Sequence, residues 1–473
     1  MTFVKLMNRL VCFPRHKPSL DPSFIPAVLW NRAYEDRVAR GTTPVPLALV
    51  LEGYGGDISR FDTHILPPGN SDDTETVFYV ERILKFLLWQ KGAFRVHIAG
   101  PEKLVQAIRV IYSAAGARQF DSDFIGQKLG GQPLEIKAGA WETLPAPREN
   151  HAPLGRNWNG CRIGFDLGGS DRKCVAMIDG KVIFSEEIPW DPYFQKNAVY
   201  HYNGIQDSLK RAAAHLPRVD AIGGSAAGIY VNNEVRAGSL FRGIGPEEFD
   251  REVRPIFQTL KRAWGGVPFE VINDGEVTAL AGSISLEVTG ILGVSLGTSQ
   301  AGGFVNAEGN ITTWLNELAF APVDYSRQAA VDEWSGDRGC GVQYFSQQAV
   351  GRLARKAGIV LPPEMPLPEK LVEVQKWMEK GDERARAIYE TIGTYLGYTI
   401  AHYERFYDFR HLLILGRVTS GPGGEVILAQ ARRVLADEFP KTSERMALHT
   451  PNEKEKRHGQ AMAAATLPKL LSS

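Results

Sequence analysis

The stretch that decides the fold reads Cys161-Arg-Ile-Gly-Phe-Asp-Leu-Gly-Gly-Ser170-Asp-Arg-Lys-Cys-Val-Ala-Met-Ile-Asp-Gly180-Lys-Val-Ile-Phe-Ser-Glu-Glu-Ile188. An apolar strand ends at Asp166, a Gly-Gly-Ser turn follows, and a second strand runs through Val175 to Ile178. Asp179-Gly180, a strong hairpin signal, then leads into a third strand. A strand that ends in Asp puts a carboxylate at the rim of a sheet. Gly168 and Gly169 let backbone N–H groups approach an anion, and Ser170 adds a hydroxyl donor. Asp166 would hold Mg²⁺, usually through water. An ordinary hairpin fits this stretch equally well.

The pattern returns downstream. Gly290-Ile-Leu-Gly-Val-Ser-Leu-Gly-Thr-Ser-Gln-Ala-Gly-Gly-Phe-Val305 is again strand, Gly turn, strand. Leu296-Gly297-Thr298-Ser299 matches Leu167-Gly168-Gly169-Ser170, and Glu308-Gly309 matches Asp179-Gly180 at the same offset, which predicts an internal duplication. Gly297 and the Thr298 hydroxyl suit a second set of phosphate oxygens. Two such turns in one chain point to a nucleotide clamp.

Two further motifs flank the second turn. Asn273-Asp274-Gly275 follows a predicted strand at Phe269–Ile272 and opens a predicted helix over 276–283. That is where α/β sheets place their sites. Asp274 there would either take a proton from an attacking hydroxyl or simply cap the helix. Gly416-Arg-Val-Thr-Ser420-Gly421-Pro-Gly-Gly424 joins a predicted strand at His411–Leu415 to a predicted helix at Glu425–Phe439. It is either a bed for a flat purine or a plain helix-entry loop.

The rest of the chain bounds the answer. At roughly 150 residues per domain, 473 residues make about three domain-sized units. Lys+Arg and Asp+Glu are equal at 54 each, so there is no basic footprint for nucleic acid and none is expected as a partner. No apolar run is long enough for a membrane span. Four widely spaced cysteines without a CxxC pair fit a reducing cytoplasm. Glycine, 48 residues, exceeds ordinary usage, and the excess is expected in phosphate-binding turns. His201, His215 and His402 are expected to be surface or satisfied side chains, and the Trp and Tyr residues of 369–407 core.

Residues 1–155 form a separate α/β extension and linker. Pro46–Pro68 predicts two strands around a Gly-rich turn, Thr74–Gln90 a one-faced helix, Phe94–Ala99 a strand and Glu102–Ala115 a helix. Residues 1–45 show little periodicity. Tyr54, inside the flexible turn of Leu49–Gly56, is placed to reach a neighbouring cleft.

The four motifs, in this order, resemble the sugar kinase branch of the superfamily that also holds actin and the heat-shock chaperone ATPases. Within it the chain is similar to the ROK family of bacterial glucokinases and N-acetylhexosamine kinases, over about Arg162 to Leu467. The resemblance implies a two-lobed actin-like (ribonuclease H-like) α/β fold. Lobe I would be 156–284 plus 455–473 and lobe II 285–454. It implies an ATP-dependent kinase of a sugar or sugar-like polyol, using Mg²⁺ at Asp166, with Asp274 as catalytic base. Gly168, Gly169, Ser170, Gly297 and Thr298 would hold phosphates, and Gly416, Ser420 and Gly421 the adenosine. Asn273, Asp274, Glu317 and Ser239 would meet the acceptor.

The departures from that pattern are also informative. Phe320 stands at the family's zinc-binding, sugar-contacting His, and Ser239 at an Asn. Arg417 replaces a Gly. The family's cysteine run appears as Ser335-Gly-Asp-Arg-Gly-Cys-Gly341, which keeps only Cys340. One thiolate cannot supply a tetrahedral site, so no structural zinc is expected. A non-catalytic sugar- or nucleotide-binding sensor or scaffold of the same fold is the alternative. The extension is expected either to pack on the lobe holding Asp274 and cover part of the acceptor site, or to serve a homodimer or stability alone.

Overall fold

In the computed structural model, residues 14–69, 73–148, 154–450 and 459–470 are described. The extension begins with an unanticipated helix, Ala27–Arg40. Its sheet then takes the order β2-β1-β3-β4, from β1 (Val45–Glu52), β2 (Ile58–Ile65), β3 (Arg95–Ala99) and β4 (Glu135–Ala138). β1 is antiparallel to β2 and β3, so the predicted Gly-rich hairpin is present. The helix Asp73–Lys91 is longer than expected and buried along nearly its whole length, charged residues included. The one-faced periodicity understated this because the helix lies inside the molecule and pairs its charges there.

Lobe I carries the sheet order β11-β8-β5-β6-β7. Its strands are β5 (Cys161–Leu167), β6 (Asp171–Ile178), β7 (Lys181–Pro189), β8 (Ala221–Ala226) and β11 (Phe269–Asn273). The short hairpin β9 (Ile229–Val231) and β10 (Glu234–Ala237) stands apart from that sheet. Asp179 and Gly180 turn at φ 46° and 81°, the left-handed geometry their hairpin needs. Lobe II repeats the plan with β15-β14-β12-β13, from β12 (Ile291–Leu296), β13 (Gln300–Val305), β14 (His411–Leu415) and β15 (Ala447–His449). In each lobe an antiparallel hairpin is followed by two strands added in parallel. The duplication read from two turns therefore extends to the sheets, with lobe II lacking a counterpart of β7.

Some of the glycine excess goes into packing rather than phosphate turns. A Cβ at Gly164 of β5 or Gly223 of β8 would strike the Ala461 or Ala464 carbonyl of the helix Gly459–Ala465. The predicted Phe249–Trp264 helix is broken into Phe249–Val253 and Ile256–Ala263 around Pro255. Helices Leu367–Glu379, Glu383–Tyr403 and Pro422–Glu438 match expectation, and Tyr389, Tyr395, Tyr398 and Tyr403 are core.

The extension docks on lobe II, not on the lobe it was expected to cover. Phe24, Val28 and Phe86 belong to the lobe II hydrophobic core, and Tyr325 of lobe II belongs to the extension's core. Glu35 pairs with Arg405. Asp21 accepts from Arg352, Lys356 and Tyr395. Sequence periodicity carries no record of this docking because its polar half consists of scattered single residues.

A buried cluster of six charges seals the joint. Arg82 pairs with Glu81 at 2.6 Å and with Asp337 at 3.0 Å. Lys85 reaches Asp121 at 3.0 Å and Asp337 at 2.9 Å. Arg118 reaches Glu81 at 2.6 Å and Asp337 at 2.9 Å. Burial alone would raise the Asp337 carboxyl, but Arg82, Lys85 and Arg118 outweigh it and hold it far below the usual range.

Candidate functional site

Three parallel strands of lobe I, β5, β8 and β11, end together. In register, Asp166 sits beside Ser225 and Asn273 beside Ala226. Ser225 Oγ donates to Asp166 Oδ1 at 2.7 Å. Lys173 Nζ lies 3.8 Å from Asp166 Oδ2 and 3.1 Å from Asp171. Burial raises the Asp166 carboxyl, and the Ser225 bond and the Lys173 charge only partly offset it. Among the described residues no three carboxylate, His or Cys side chains gather around one point, and Asp166 is a single carboxylate with an oxygen turned to Lys173. That donor set fits a cation held mainly through water, as Mg²⁺ is.

Asp274 opens the helix Asp274–Ser285, and Asn273 caps it, its Oδ1 accepting from Gly275 N at 2.7 Å. The sequence left open whether Asp274 is only a cap; the side chain of Asn273 is the shorter acceptor, with Asp274 Oδ1 at 3.0 Å from the same N–H. Burial first, and the neighbouring Asp166 charge second, push the Asp274 carboxyl up to about 6. Glu317 is likewise pushed up to about 7 by burial and by Asp274. Asp166, Asp274 and Glu317 thus form one electrostatically linked group drawn from both lobes.

The nucleotide-side motifs gather on neighbouring strand ends. β12 and β14 run parallel, so the Gly297–Thr298 turn and the Gly416–Gly421 loop leave the sheet side by side. Gly416 has φ 99°, and a Cβ there would stand 2.5 Å from the Leu296 carbonyl. Thr298 and Ser420 are exposed. In the first turn, Gly168 N donates to the Asp171 carbonyl at 2.9 Å, and Tyr193 lies against Gly169, where a side chain would collide with it. Ser170 Oγ donates to Asp171 at 2.9 Å.

On the acceptor side, a cavity of about 370 Å³ opens between the lobes and the extension. Asn273, Glu276 and Glu317 line it, and Ser239 does not: that residue is exposed on the short turn Ser239–Phe241. The sequence missed Asn232 and Asn233, the left-handed turn residues of the β9–β10 hairpin, which line the cavity instead. Asn233 is fixed to β11, donating to Phe269 O at 2.7 Å and accepting from Val271 N at 2.8 Å. An Asn-Asn pair between short apolar runs is a hairpin signal that would have located them.

The extension supplies the remaining wall, with Tyr54, Asp57 and Lys91. Tyr54 does reach the cleft, and its hydroxyl donates to the Ile125 carbonyl at 2.6 Å. Asp57 accepts from Thr313 Oγ1 at 3.0 Å. The last carbonyls of the helix Asp73–Lys91 are taken up by lobe II: Asn316 N donates to Gln90 O at 2.9 Å and Glu317 N to Trp89 O at 3.0 Å. Phe320 is stacked by Trp89 at 4.3 Å between ring centroids and faces Phe120 at 5.4 Å. The position where the family keeps a His has become part of the extension's joint.

The zinc segment has changed in the same way. Asp337 is engaged by three cations, and burial pushes the Cys340 thiol up to about 12. A protonated thiol and a carboxylate already paired do not fit a zinc site. His201 is buried and bonded to the Pro192 and Leu240 carbonyls. His402 is buried among Phe86, Tyr325 and Phe406, and burial pulls it down to about 3.

No protein-family model and no curated protein matches the chain. Solved structures do. The chain is similar to a ROK hexokinase from Thermus thermophilus, with TM-score 0.51 and 19% identity over 65% of this chain and 97% of that one. It is equally similar to a ROK-family transcriptional regulator, a homologue of the E. coli MLC protein, with TM-score 0.51 and 17% identity over 65% and 78%. The two-lobed architecture is that of the actin-like ATPases. Within that class, the chain has the fold of the ROK proteins, joined to an N-terminal α/β extension.

Proposed function

We propose that this protein is an ATP-dependent kinase that phosphorylates a hydroxyl of a sugar or sugar-like polyol. The observation that carries the reading is Asp274, a carboxylate at the carboxyl end of β11, next to an acceptor-sized cavity and tuned to about 6. A general base works best with a pKa near the operating pH.

The acceptor hydroxyl would lie against Asp274, with Asn273 and Glu317 binding its neighbouring hydroxyls. As the hydroxyl oxygen bonds to the γ-phosphorus, its proton passes to Asp274. The bond from that phosphorus to the bridging oxygen breaks, and ADP leaves. The Gly168–Ser170 and Gly297–Thr298 turns would cradle the phosphates, and Gly416, Ser420 and Gly421 the adenosine. Mg²⁺, held through water at Asp166, would supply charge to the phosphate oxygens when bound. A cytoplasmic enzyme is in keeping with the buried free thiols Cys161, Cys174 and Cys340. Among the described residues no helix is long and apolar enough to cross a membrane.

The similarity to a ROK regulator keeps a second reading, a non-catalytic sensor of sugar or nucleotide. ADP release measured over a panel of sugars separates the two. Sugar-dependent release supports the kinase; ligand binding without release supports the sensor.

A further inference from the structure

The acceptor cavity is charged in one direction. Asp57, Glu270, Glu276 and Glu317 line it, against the single cation Lys91. The Lys91 ammonium is already applied to the face of Trp314, 2.7 Å from the ring centroid. Glu276 is 5% exposed and accepts from Asn316 Nδ2 at 2.5 Å, while Glu270 has only a 3.4 Å contact from Asn233 Nδ2. Burial pushes the Glu276 and Glu317 carboxyls up to about 8 and 7. Carboxyls held this way ionise when a cation arrives beside them.

A second observation is independent of these acids. Thr312, 4% exposed, lines the same cavity, and its hydroxyl has no hydrogen-bond partner among the described residues. A buried hydroxyl without a partner marks a place that a polar ligand fills. At about 370 Å³ the space lies near the lower end of small-molecule pockets, roughly 300–1,000 Å³. It suits one compact, polyhydroxylated molecule.

We infer that the acceptor is a compact polyol bearing an ammonium group, and that Asp57 of the extension and Glu270 of β11 select it. This rests on the kinase reading of the same site. The acidic wall rejects carboxylated and phosphorylated sugars by repulsion, and the extension supplies part of that wall. A bare ROK core without the extension would lack Asp57.

Calorimetry on the full chain with a non-hydrolysable ATP analogue tests this, with glucosamine, glucose and glucuronate as cationic, neutral and anionic probes. Glucosamine is expected to bind about tenfold tighter than glucose, the difference between a charge-assisted and a neutral hydrogen bond. Glucuronate is expected to bind weakest. Asp57→Asn and Glu270→Gln should each narrow the glucosamine–glucose gap. Equal or tighter binding of glucose or glucuronate overturns the inference, as does a gap unmoved by both variants or binding of none of the three. ADP release is read in parallel. Selective glucosamine binding without turnover removes the kinase reading and leaves the acceptor class standing, whereas turnover of glucose with rejection of glucosamine does the reverse.

Discussion

The backbone N–H of Glu317 donates to the carbonyl of Trp89 at 3.0 Å. A residue at the acceptor site is thereby held by the last turn of a helix that belongs to the extension. The next residue back repeats the arrangement, Asn316 on Gln90, and Asn316 in turn holds Glu276 and accepts from Tyr407. The extension is a structural member of the acceptor pocket, and this governs how its residues respond to substitution.

Asp274→Asn is expected to lower turnover by about 10²–10⁴, the usual loss on removing a general base. Binding of an ATP analogue should be kept, since the nucleotide-side turns are separate. Steady-state ADP release and calorimetry measure the two. Turnover at the level of the unmodified protein removes Asp274 from the role of base.

The rate should fall as pH drops through about 6, where Asp274 takes up its proton. Stability should run the other way. Asp274, Glu317 and Glu276, raised to about 6, 7 and 8, bind protons more tightly folded than unfolded. Between roughly pH 5 and 8 the folded state therefore holds more protons, and stability declines as pH rises. Thermal melts of the ligand-free protein at pH 5.5 and 8 should show the higher melting temperature at 5.5, and Glu276→Gln should shrink the difference.

Asp337→Ala leaves Arg82, Lys85 and Arg118 without their shared partner inside the joint. Breaking a buried ion pair typically costs about 3–5 kcal/mol. The denaturant midpoint should fall accordingly, or folding should fail. Glu373→Ala, which removes an exposed pair with Lys376, should leave the midpoint nearly unchanged.

Gly416→Ala puts a methyl group against the Leu296 backbone at a φ of 99°. The loop must shift away from the second phosphate turn. Nucleotide affinity should drop at least about tenfold while acceptor binding holds; a drop in acceptor binding alone would contradict the assignment of this loop.

Treatment with a strong chelator should leave the melting temperature unmoved, because Asp337 and Cys340 are engaged in other ways. One zinc per chain by elemental analysis of untreated protein would refute this.

Much of the frame was legible in the sequence. The hairpin Asp166–Ile178, the repeated Gly turn and the strand His411–Leu415 rest on local signals, alternation and turn chemistry, which act within a few residues. The rims that carry Asp166, Asp274 and Gly416 followed from them. What was illegible depends on pairing between distant segments. Lys173 meets Asp166 only through hairpin register, and Asn233 enters the cavity only because β9–β10 folds beside β11. The helix Ala27–Arg40 lacks acidic residues in its first turn and a side-chain cap, so nothing local announced it. The extension's docking on lobe II was misread because its aromatic partners, such as Trp89 and Phe320, read as core residues of their own segments.

The six-charge cluster also constrains the protein's ancestry. All three cations around Asp337 come from the extension, so neither half is electrically complete alone. Residue 337 in a chain without the extension would be an anion facing an apolar void, and the extension by itself would carry surplus positive charge on its inner face. Loss of the extension by gene truncation is thus blocked unless several substitutions occur together. The fusion behaves as a ratchet, easy to retain and hard to reverse.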